Sequence, residues 1–242
     1  RHFGIGADGL ILIGASKTAD FSMEMYNADG SKGAMCGNGI RCVGKYVYEH
    51  GLTRKTTLTI ETGSGNRVIH LQTGENPNKI CQVTVEMGTP EFRAAQIPVV
   101  SLGEYVLEHK ITVCGENYTM TCLSMGNPHA VIFSEEINGI SLEETGRELE
   151  FHPRFPERAN IEFCHVTARD RMEIRVWERG VGETLACGTG ACAAVVASVL
   201  NDLTDEEVIV KLLGGELSVR WDRKVNHVFL EGPAVKVFDG VL

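Results

Sequence analysis

The stretches GAMCGNGIRC at Gly33–Cys42 and TLACGTGACA at Thr184–Ala193 carry the same pattern twice. Each places a cysteine before two glycines that are separated by one residue, and each continues into a run that is typical of a helix. We therefore expect Cys36 and Cys187 at the N-termini of two helices, at positions that differ by 151 (187 − 36). The repetition predicts a chain built from two related halves.

A helix N-terminus changes the chemistry of a cysteine placed there. Unpaired backbone N–H groups and the positive end of the helix dipole stabilise anions. A thiol at this position is therefore expected to have a pKa below its usual value of about 8.5 and to react as a thiolate. The same N–H groups can hold a carboxylate. Two such elements facing one another predict an acid–base pair, in which a thiolate takes a proton while the opposite thiol gives one and a stereocentre is inverted.

The other cysteines have a simpler interpretation. A free cysteine is more often a small buried hydrophobic residue than a catalyst, and only the two repeated stretches argue against that reading. No C-x-x-C pair is present, so the sequence predicts neither a zinc ribbon nor a thioredoxin-type site, and no metal site is expected. We therefore expect the other six cysteines to pack in the core of a reducing, cytoplasmic protein: Cys42, Cys81, Cys114, Cys122, Cys164 and Cys192.

Composition narrows the class of protein. The chain has 242 residues, of which 43% are hydrophobic and 23% charged, and its formal net charge is −9. The negative charge argues against a nucleic-acid binder, which needs a basic face. No apolar run approaches the roughly 18 residues that a membrane span needs. The opening RHFGIGADG, Arg1–Gly9, reads as the middle of a domain, so we expect that a preceding segment is missing.

Alternation at a period of two dominates the sequence and predicts half-buried strands. Examples are 21–27, 56–62, 67–73, 80–87, 171–178, 216–222 and 227–232. Helical patterns are few. We expect a helix over Asn38–Glu49, a second over Thr189–Asn201 that is apolar on every side and so buried all round, and a third candidate over Leu142–Leu149.

These elements predict a strand-rich α/β (α+β) fold with one principal helix in each half. A buried helix needs strands wrapped around it. The polar, turn-prone stretch Gly74–Lys79 is the best linker candidate. We therefore place the main domain boundary there, between residues 78 and 79, so that Cys36 and Cys187 lie in different domains.

Five blocks of the sequence resemble those of the diaminopimelate epimerase family, in the family's order. The first and fourth are long and together highly specific. The blocks are NADGSKGAMCGNGIRC (Asn27–Cys42), MGNPH (Met125–His129), RANIEF (Arg158–Phe163), WERGVGETLACGTGACA (Trp177–Ala193) and GPAVKVF (Gly232–Phe238).

The resemblance implies a fold and an activity. The fold would be two pseudo-symmetric α/β domains, each a mostly antiparallel strand barrel around a central helix, with a last strand over about Ala234–Leu242 that returns to the first domain. The N-terminal domain would then comprise residues 1–78 plus 234–242 and carry Cys36, and the C-terminal domain would comprise residues 79–233 and carry Cys187. The activity would be a cofactor-independent interconversion of LL- and meso-diaminopimelate, a step in lysine and peptidoglycan precursor synthesis. The family also suggests a homodimer, with neither nucleic acid nor membrane as a partner.

The resemblance also implies roles for individual residues. Cys36 and Cys187 match the two catalytic acid–base thiols. Residues of the two helix starts match those that cradle the reacting carboxylate, and the asparagines match substrate-binding residues. These substrate-binding positions are Gly37, Asn38, Gly188, Thr189, Asn27, Asn127 and Asn160. Glu178 and Arg179 match the pair that reads the distal end of the substrate, and His129 and Glu178 match residues that tune the thiols.

Simpler interpretations exist for these positions. Asn27 and Asn127 would otherwise be turn residues, His129 an ordinary buried histidine, and Glu178–Arg179 a surface pair of little energetic weight.

Three departures from the family also matter. The family's early asparagine has no counterpart in this chain, Gly9 stands where some members have a glutamine, and Phe238 falls at a dimer contact where some members have tyrosine.

Three other functions compete with the epimerase. A proline racemase-like enzyme of the same architecture would tend to carry histidine where Asn38 stands. A thiol redox protein would need a resolving cysteine nearby. A non-catalytic amino-acid-binding module would need the recognition residues but not two thiols.

Overall fold

A computed structural model describes residues 6–7, 9–101 and 103–240, and within them strands predominate in a mixed α/β fold. None of the described helices is both long and apolar enough to cross a membrane. The helices are α1 (Gly37–Glu49), α2 (Leu142–Glu150) and α3 (Gly188–Leu200). The strands are β1 (Gly9–Gly14), β2 (Phe21–Asn27), β3 (Lys32–Gly33), β4 (Thr57–Thr62), β5 (Gly65–Thr73), β6 (Ile80–Gly88), β7 (His109–Val113), β8 (Glu116–Ser124), β9 (Pro128–Phe133), β10 (Asn160–Ala168), β11 (Arg171–Glu178), β12 (Gly182–Thr184), β13 (Glu207–Leu212), β14 (Gly215–Asp222) and β15 (His227–Gly232).

The chain divides into two compact units. The first unit comprises Arg1–Glu86 and Glu231–Leu242, and the second unit comprises Met87–Leu230. The limits expected from the sequence and the family resemblance lie at residues 78 and 233. The stretch expected to be a linker, Gly74–Lys79, is the turn that joins the antiparallel pair β5–β6. A polar, turn-prone composition is shared by linkers and hairpin turns, which is why composition alone placed the limit there.

The first unit is a sheet in the order β1-β2-β4-β5-β6, with α1 packed against it. The residues of α1 that face the sheet recur at helical spacing. Ile40, Val43 and Val47 are all buried, and Gly44 lies so close to the sheet that a Cβ there would press on Ile69 and Leu71. The helix expected over Asn38–Glu49 is therefore confirmed, with a glycine at its closest approach to the sheet.

The second unit has strand order β14-β13-β11-β10-β9-β8-β7, with β12 paired to β11. Most neighbours are antiparallel, but β9–β10 and β11–β13 are parallel. Helix α3 contacts six of these strands, β8, β9, β10, β11, β13 and β14. All of its residues from Gly190 to Ser198 are buried, as its uniformly apolar sequence predicts.

The two units repeat one arrangement almost residue for residue. In the first unit Leu10 pairs with Tyr26, and in the second Ile161 pairs with Trp177, each 151 positions later (161 − 10). Helices α1 and α3 keep the same offset, and so do the short strands β3 and β12 against β2 and β11. The structure therefore extends the repeat seen in the sequence from one cysteine motif to a strand–strand–helix framework.

The last predicted strand is wrong for the described residues. Ala234–Gly240 has no strand there, and Leu242, the end of the prediction, lies outside the described residues. A strand needs a partner's backbone groups, and Val237 is instead 85% exposed. The contacts that tie this end of the chain to the first unit come slightly earlier: Arg41 Nε donates to the Pro233 carbonyl at 3.3 Å, and Thr84 Oγ1 donates to Glu231 at 2.7 Å.

A carboxylate fastens the C-terminal end of α1 to β6. Glu49 accepts from Lys45 Nζ at 2.7 Å and from the Ile80 N–H at 3.0 Å through one oxygen, and from Lys79 Nζ at 3.0 Å through the other. Burial alone would raise the pKa of Glu49, but these three donors together lower it from 4.5 to about 2. The carboxylate is therefore stabilised by the fold over most of the acid range.

Replacing Glu49 with glutamine should reduce the free energy of unfolding by about 1–3 kcal/mol at neutral pH, because hydrogen bonds to a charged group are lost. A depressed pKa stabilises the fold above the unfolded value near 4.5, and this contribution is lost as the pH falls towards 2. Urea unfolding at pH 7, 5 and 3.5 should show the gap between E49Q and wild type narrowing below pH 4.5. Glu75→Gln, in an exposed turn, is the control, and a gap that did not change with pH would contradict this account.

Candidate active site

Both cysteines of the repeated motif cap their helices. Cys36 is the N-cap of α1, and its Sγ accepts a hydrogen bond from the Gly39 N–H at 3.3 Å. Cys187 is the N-cap of α3, and its Sγ accepts one from the Gly190 N–H at 3.4 Å. The predicted placement of the two thiols at helix N-termini is therefore confirmed. They differ in exposure, because Cys36 is half-buried and Cys187 is only 6% exposed. Of the other six cysteines, Cys122, Cys164 and Cys192 are buried as expected, whereas the expected core position is wrong for Cys42, Cys81 and Cys114, which are exposed.

The expectation of a lowered pKa is wrong for Cys187. Burial raises the pKa of this thiol well above its usual value, and the nearby carboxylates Glu178 and Glu162 raise it further. Hydrogen bonds from Thr189 and the Gly190 N–H act in the opposite direction but do not overcome these effects. Desolvation of a thiolate outweighs the favourable helix N-terminus here, so Cys187 is a neutral thiol.

A chain of polar side chains leads from Cys187 into the core of the second unit. Thr189 Oγ1 lies 3.5 Å from Cys187 Sγ and accepts from Asn127 Nδ2 at 3.3 Å. The Asn127 Oδ1 lies 2.9 Å from His129 Nε2. His129 Nδ1 in turn lies 2.7 Å from Glu162 Oε1. The structure thus brings three of the sequence-predicted residues to the thiol, through contacts between their side chains.

Glu162 is the member of this chain that the sequence analysis missed. Its side chain is fully buried, and burial raises its pKa, while His129 lowers it and Glu178 raises it again. The residue lies in the RANIEF block, two positions after Asn160, but in an alternating strand a lone glutamate is expected to face solvent. Because β10 is buried on both faces from Asn160 to Cys164, alternation carries no information on which side chains are exposed.

Asn160 and Arg179 hold the β11–β12 turn in place. Asn160 Nδ2 donates to the Pro128 carbonyl at 3.1 Å, and its Oδ1 accepts from the Arg179 N–H at 2.9 Å. The Arg179 guanidinium is exposed and donates to the Glu157 carbonyl at 3.0 Å. Asn160 therefore positions backbone, while the guanidinium of Arg179 is accessible.

Glu178 lies at the end of β11, with its side chain near the helix start. Its Oε1 accepts from Thr184 Oγ1 at 2.5 Å, and its charge is one of the causes that raise the pKa of Cys187. Glu178 precedes Cys187 by nine positions, as Asn27 precedes Cys36. The repeat therefore places an acidic residue at one strand end and an amide at the other.

The first unit carries the remaining predicted residues. Asn27 is exposed, and its Nδ2 donates to Ser31 Oγ at 3.0 Å within a turn, which is the arrangement expected of an ordinary turn residue. Asn38, in the first turn of α1, has a buried Oδ1 without a hydrogen-bond partner among the described residues. Gly37 begins that helix, as Gly188 begins α3. A side chain at Gly9 would overlap the Tyr26 carbonyl, so here this position can offer only backbone.

Comparison with known proteins gives a consistent result. A sequence model of the diaminopimelate epimerase family matches residues 1–93 and 121–237. A diaminopimelate epimerase of Acetivibrio thermocellus is 50% identical over 240 residues, which cover 99% of this chain and 85% of that protein.

Solved structures share the fold at lower identity. A phenazine biosynthesis protein of the PhzF family from Bacillus anthracis has a TM-score of 0.64 and 18% identity, covering 98% of this chain and 86% of that one. A hydroxyproline epimerase from Agrobacterium vitis has a TM-score of 0.63 and 14% identity, covering 93% of this chain and 71% of that one. These likenesses confirm the pseudo-symmetric α/β fold. With the match to the family model and half of its residues identical to a named relative, the chain belongs to the diaminopimelate epimerase family.

Proposed function

We propose that this protein is an isomerase that interconverts LL- and meso-diaminopimelate without a cofactor, by proton transfer between two cysteines. The observation that carries the proposal is the pair of N-cap thiols, Cys36 and Cys187, on helices of one repeated framework. Relatives that are about half identical in sequence carry the name diaminopimelate epimerase. The product would serve lysine and peptidoglycan precursor synthesis.

Recognition of the substrate needs groups for two amino-acid ends. At the reacting end, the N–H groups of the helix starts at Gly37, Asn38, Gly188 and Thr189 suit a carboxylate. At the distal end, the accessible guanidinium of Arg179 suits a carboxylate, which it can hold through two parallel hydrogen bonds, and Glu178 suits an ammonium. Asn27, Asn127 and Asn160 complete the proposed set, since an amide both donates and accepts.

In the proposed reaction one proton leaves the α-carbon and another proton is added to the opposite face of the same carbon. A cysteine thiolate takes the α-proton, and the electron pair left behind is stabilised by helix-start N–H groups on the neighbouring carboxylate. The other thiol then gives its proton to the opposite face, which inverts the carbon and exchanges the protonation states of the two sulfurs. The raised pKa of Cys187 supports its role as the thiol that holds a proton before the reaction begins.

Cytoplasmic localisation and a homodimer are part of the same proposal. The free cysteines favour a reducing compartment such as the cytoplasm, and the family resemblance suggests the homodimer. Val235, Val237 and Phe238 are all exposed apolar residues at one end of the chain, and a dimer contact would cover them.

The proposal predicts hydrogen exchange at the substrate. Incubated with LL-diaminopimelate in deuterated water, the protein should form the meso isomer with one solvent deuteron at the inverted α-carbon. L-proline in the same buffer should stay unlabelled, which would separate this activity from that of a proline racemase-like enzyme. NMR and chiral chromatography measure both products. Binding of diaminopimelate without any exchange would instead identify a non-catalytic binding module and contradict the proposal.

A further inference from the structure

The second unit contains a buried pair, Glu162 and His129, that neither takes a proton from the substrate nor gives one to it in the proposed reaction. Both side chains are fully buried. The 2.7 Å contact joins Glu162 Oε1 to His129 Nδ1, while Glu162 Oε2 has no hydrogen-bond partner among the described residues. A buried carboxyl with one oxygen unpartnered is costly for stability, which points to a role other than holding the fold together.

The hydrogen bonds fix where protons lie in this chain. Asn127 donates through Nδ2 to Thr189, so its Oδ1 faces His129 and must accept. His129 therefore carries a hydrogen on Nε2. Its Nδ1 and Glu162 Oε1 then have one proton to share, either as a carboxylic acid donating to a neutral imidazole or as a carboxylate accepting from an imidazolium.

The direction of these hydrogen bonds also determines which group donates to the Cys187 thiol. Because Thr189 Oγ1 already accepts from Asn127, its own hydrogen is free to point at Cys187 Sγ, 3.5 Å away. A neutral thiol held by a hydroxyl donor directs its S–H away from that hydroxyl. The shared proton at the buried end thus determines the orientation of every group up to the sulfur.

Only one of the two repeats has this arrangement. The position equivalent to Glu162 in the first unit is Ile11 (162 − 151), on the corresponding strand. A Cβ added to Gly190 would meet Glu162 Oε1 at 2.8 Å, and one added to Gly39 would meet Ile11 Cδ1 at 2.5 Å. The same helix glycine therefore packs against a carboxyl beside one cysteine and against a hydrocarbon beside the other.

We propose that Glu162 is a positioning residue for Cys187, which it serves by sharing one proton with His129 and thereby fixing the direction of the hydrogen bonds through Asn127 and Thr189 to the sulfur. The proposal rests on the proposed function of the thiol. Glu162 does not touch the substrate and supplies no proton to it.

Other titratable groups surround the pair. Glu178 on β11 and Cys187 on α3 both interact electrostatically with Glu162, and so do Cys122 on β8 and the neighbouring Cys164 on β10. Burial raises the pKa of all three of these thiols. The pair therefore sits among neutral thiols with one further carboxyl, Glu178.

Two substitutions separate the shared proton from the shape of the side chain. In Glu162→Gln an amide N–H can donate to His129 Nδ1, so the His129 Nε2–H form is kept and kcat should stay within about threefold of wild type. In Glu162→Leu no donor remains, and kcat should fall about tenfold or more through misplacement of the thiol, with KM little changed. The control is Cys164→Ala, two residues along the same strand. It removes buried volume without altering the hydrogen-bonded side chains that lead to Cys187, and it should leave kcat unchanged.

A measurement on the ring itself keeps this test independent of activity. The full chain would be labelled with ¹⁵N-histidine, and the His129→Asn variant would assign the His129 signals in the NMR spectrum. His129 should show a protonated Nε2 in wild type and in E162Q. E162L should lose the bias towards that form. A protonated Nδ1 with bare Nε2 in wild type would overturn the proposal, and so would equal losses of kcat in E162Q and E162L. Absence of epimerase activity in wild type would overturn only the proposed function.

Discussion

Replacing either Cys36 or Cys187 with alanine should lower the rate of epimerisation by at least about 10²–10⁴-fold, the contribution of one well-placed general acid or base. Inversion needs a base on one face of the carbon and an acid on the other, so each variant lacks half of the reaction. The two thiols cap corresponding helices but differ in environment, since Cys187 is buried beside two carboxylates. Each variant would be assayed for conversion of LL- to meso-diaminopimelate.

Matched controls come from the same helices. Cys42→Ala lies in α1 and Cys192→Ala in α3, and neither residue belongs to the proposed site. Both controls should keep activity close to wild type. In deuterated water, each catalytic variant should still exchange the α-hydrogen of one stereoisomer slowly and with retention, because one thiol remains. Turnover near wild type in C36A or C187A would refute the two-thiol mechanism.

The sequence predicts the repeated framework well because that framework depends on local patterns. Alternation places β2 and β11 at the residues the structure shows, and the motif of cysteine and two glycines places the starts of α1 and α3. Each of these signals acts within about ten residues and needs no knowledge of the partner strand. The constant offset of 151 between Leu10–Tyr26 and Ile161–Trp177, by contrast, depends on pairing and appears only in the structure.

What the sequence could not reveal are properties set by distant neighbours. Glu162 is hidden in a strand whose two faces are both covered, so its polarity predicted exposure while the fold buries it. The pKa of Cys187 follows the same logic, since the local helix start favours a thiolate but burial beside Glu178 favours the thiol. The stretch Ala234–Gly240 has an alternating pattern but no partner strand among the described residues.

Under the proposed mechanism the two thiols have different roles, and the two repeats are unequal at positions that bear on this difference. In the proposed reaction one sulfur takes a proton from the carbon and the other gives one to it, so the two sulfurs start from unlike protonation states, and two identical environments could not set such a difference. Two positions near the Cys187 thiol differ between the repeats. Glu162 stands where the first unit has Ile11, and Glu178 stands where the first unit has Asn27. Both carboxyls raise the pKa of the same thiol.

Substituting Gly190 with alanine should be far more damaging than the same change at Gly39, although the two glycines are equivalent. At Gly190 the new methyl group would meet Glu162 Oε1 at 2.8 Å and Cys187 Sγ at 3.4 Å. The carboxyl is fully buried and held by His129, so it cannot move away without breaking a buried pair. We expect a loss of about 1–3 kcal/mol of stability and a fall in kcat of about 10²-fold from displacement of the thiol.

At Gly39 the corresponding methyl group meets the terminal Cδ1 of Ile11 and the Cε of Met23, both ends of flexible side chains. Ile11 is only half-buried and can rotate towards solvent, so G39A should cost stability by less than G190A. Thermal unfolding and steady-state kinetics of the two variants, with the double variant G190A/E162L, would measure this. If the clash with Glu162 is the cause, leucine at 162 should make G190A less destabilising. Equal losses in G39A and G190A would show that the helix start, and not the buried carboxyl beside Cys187, forbids a side chain.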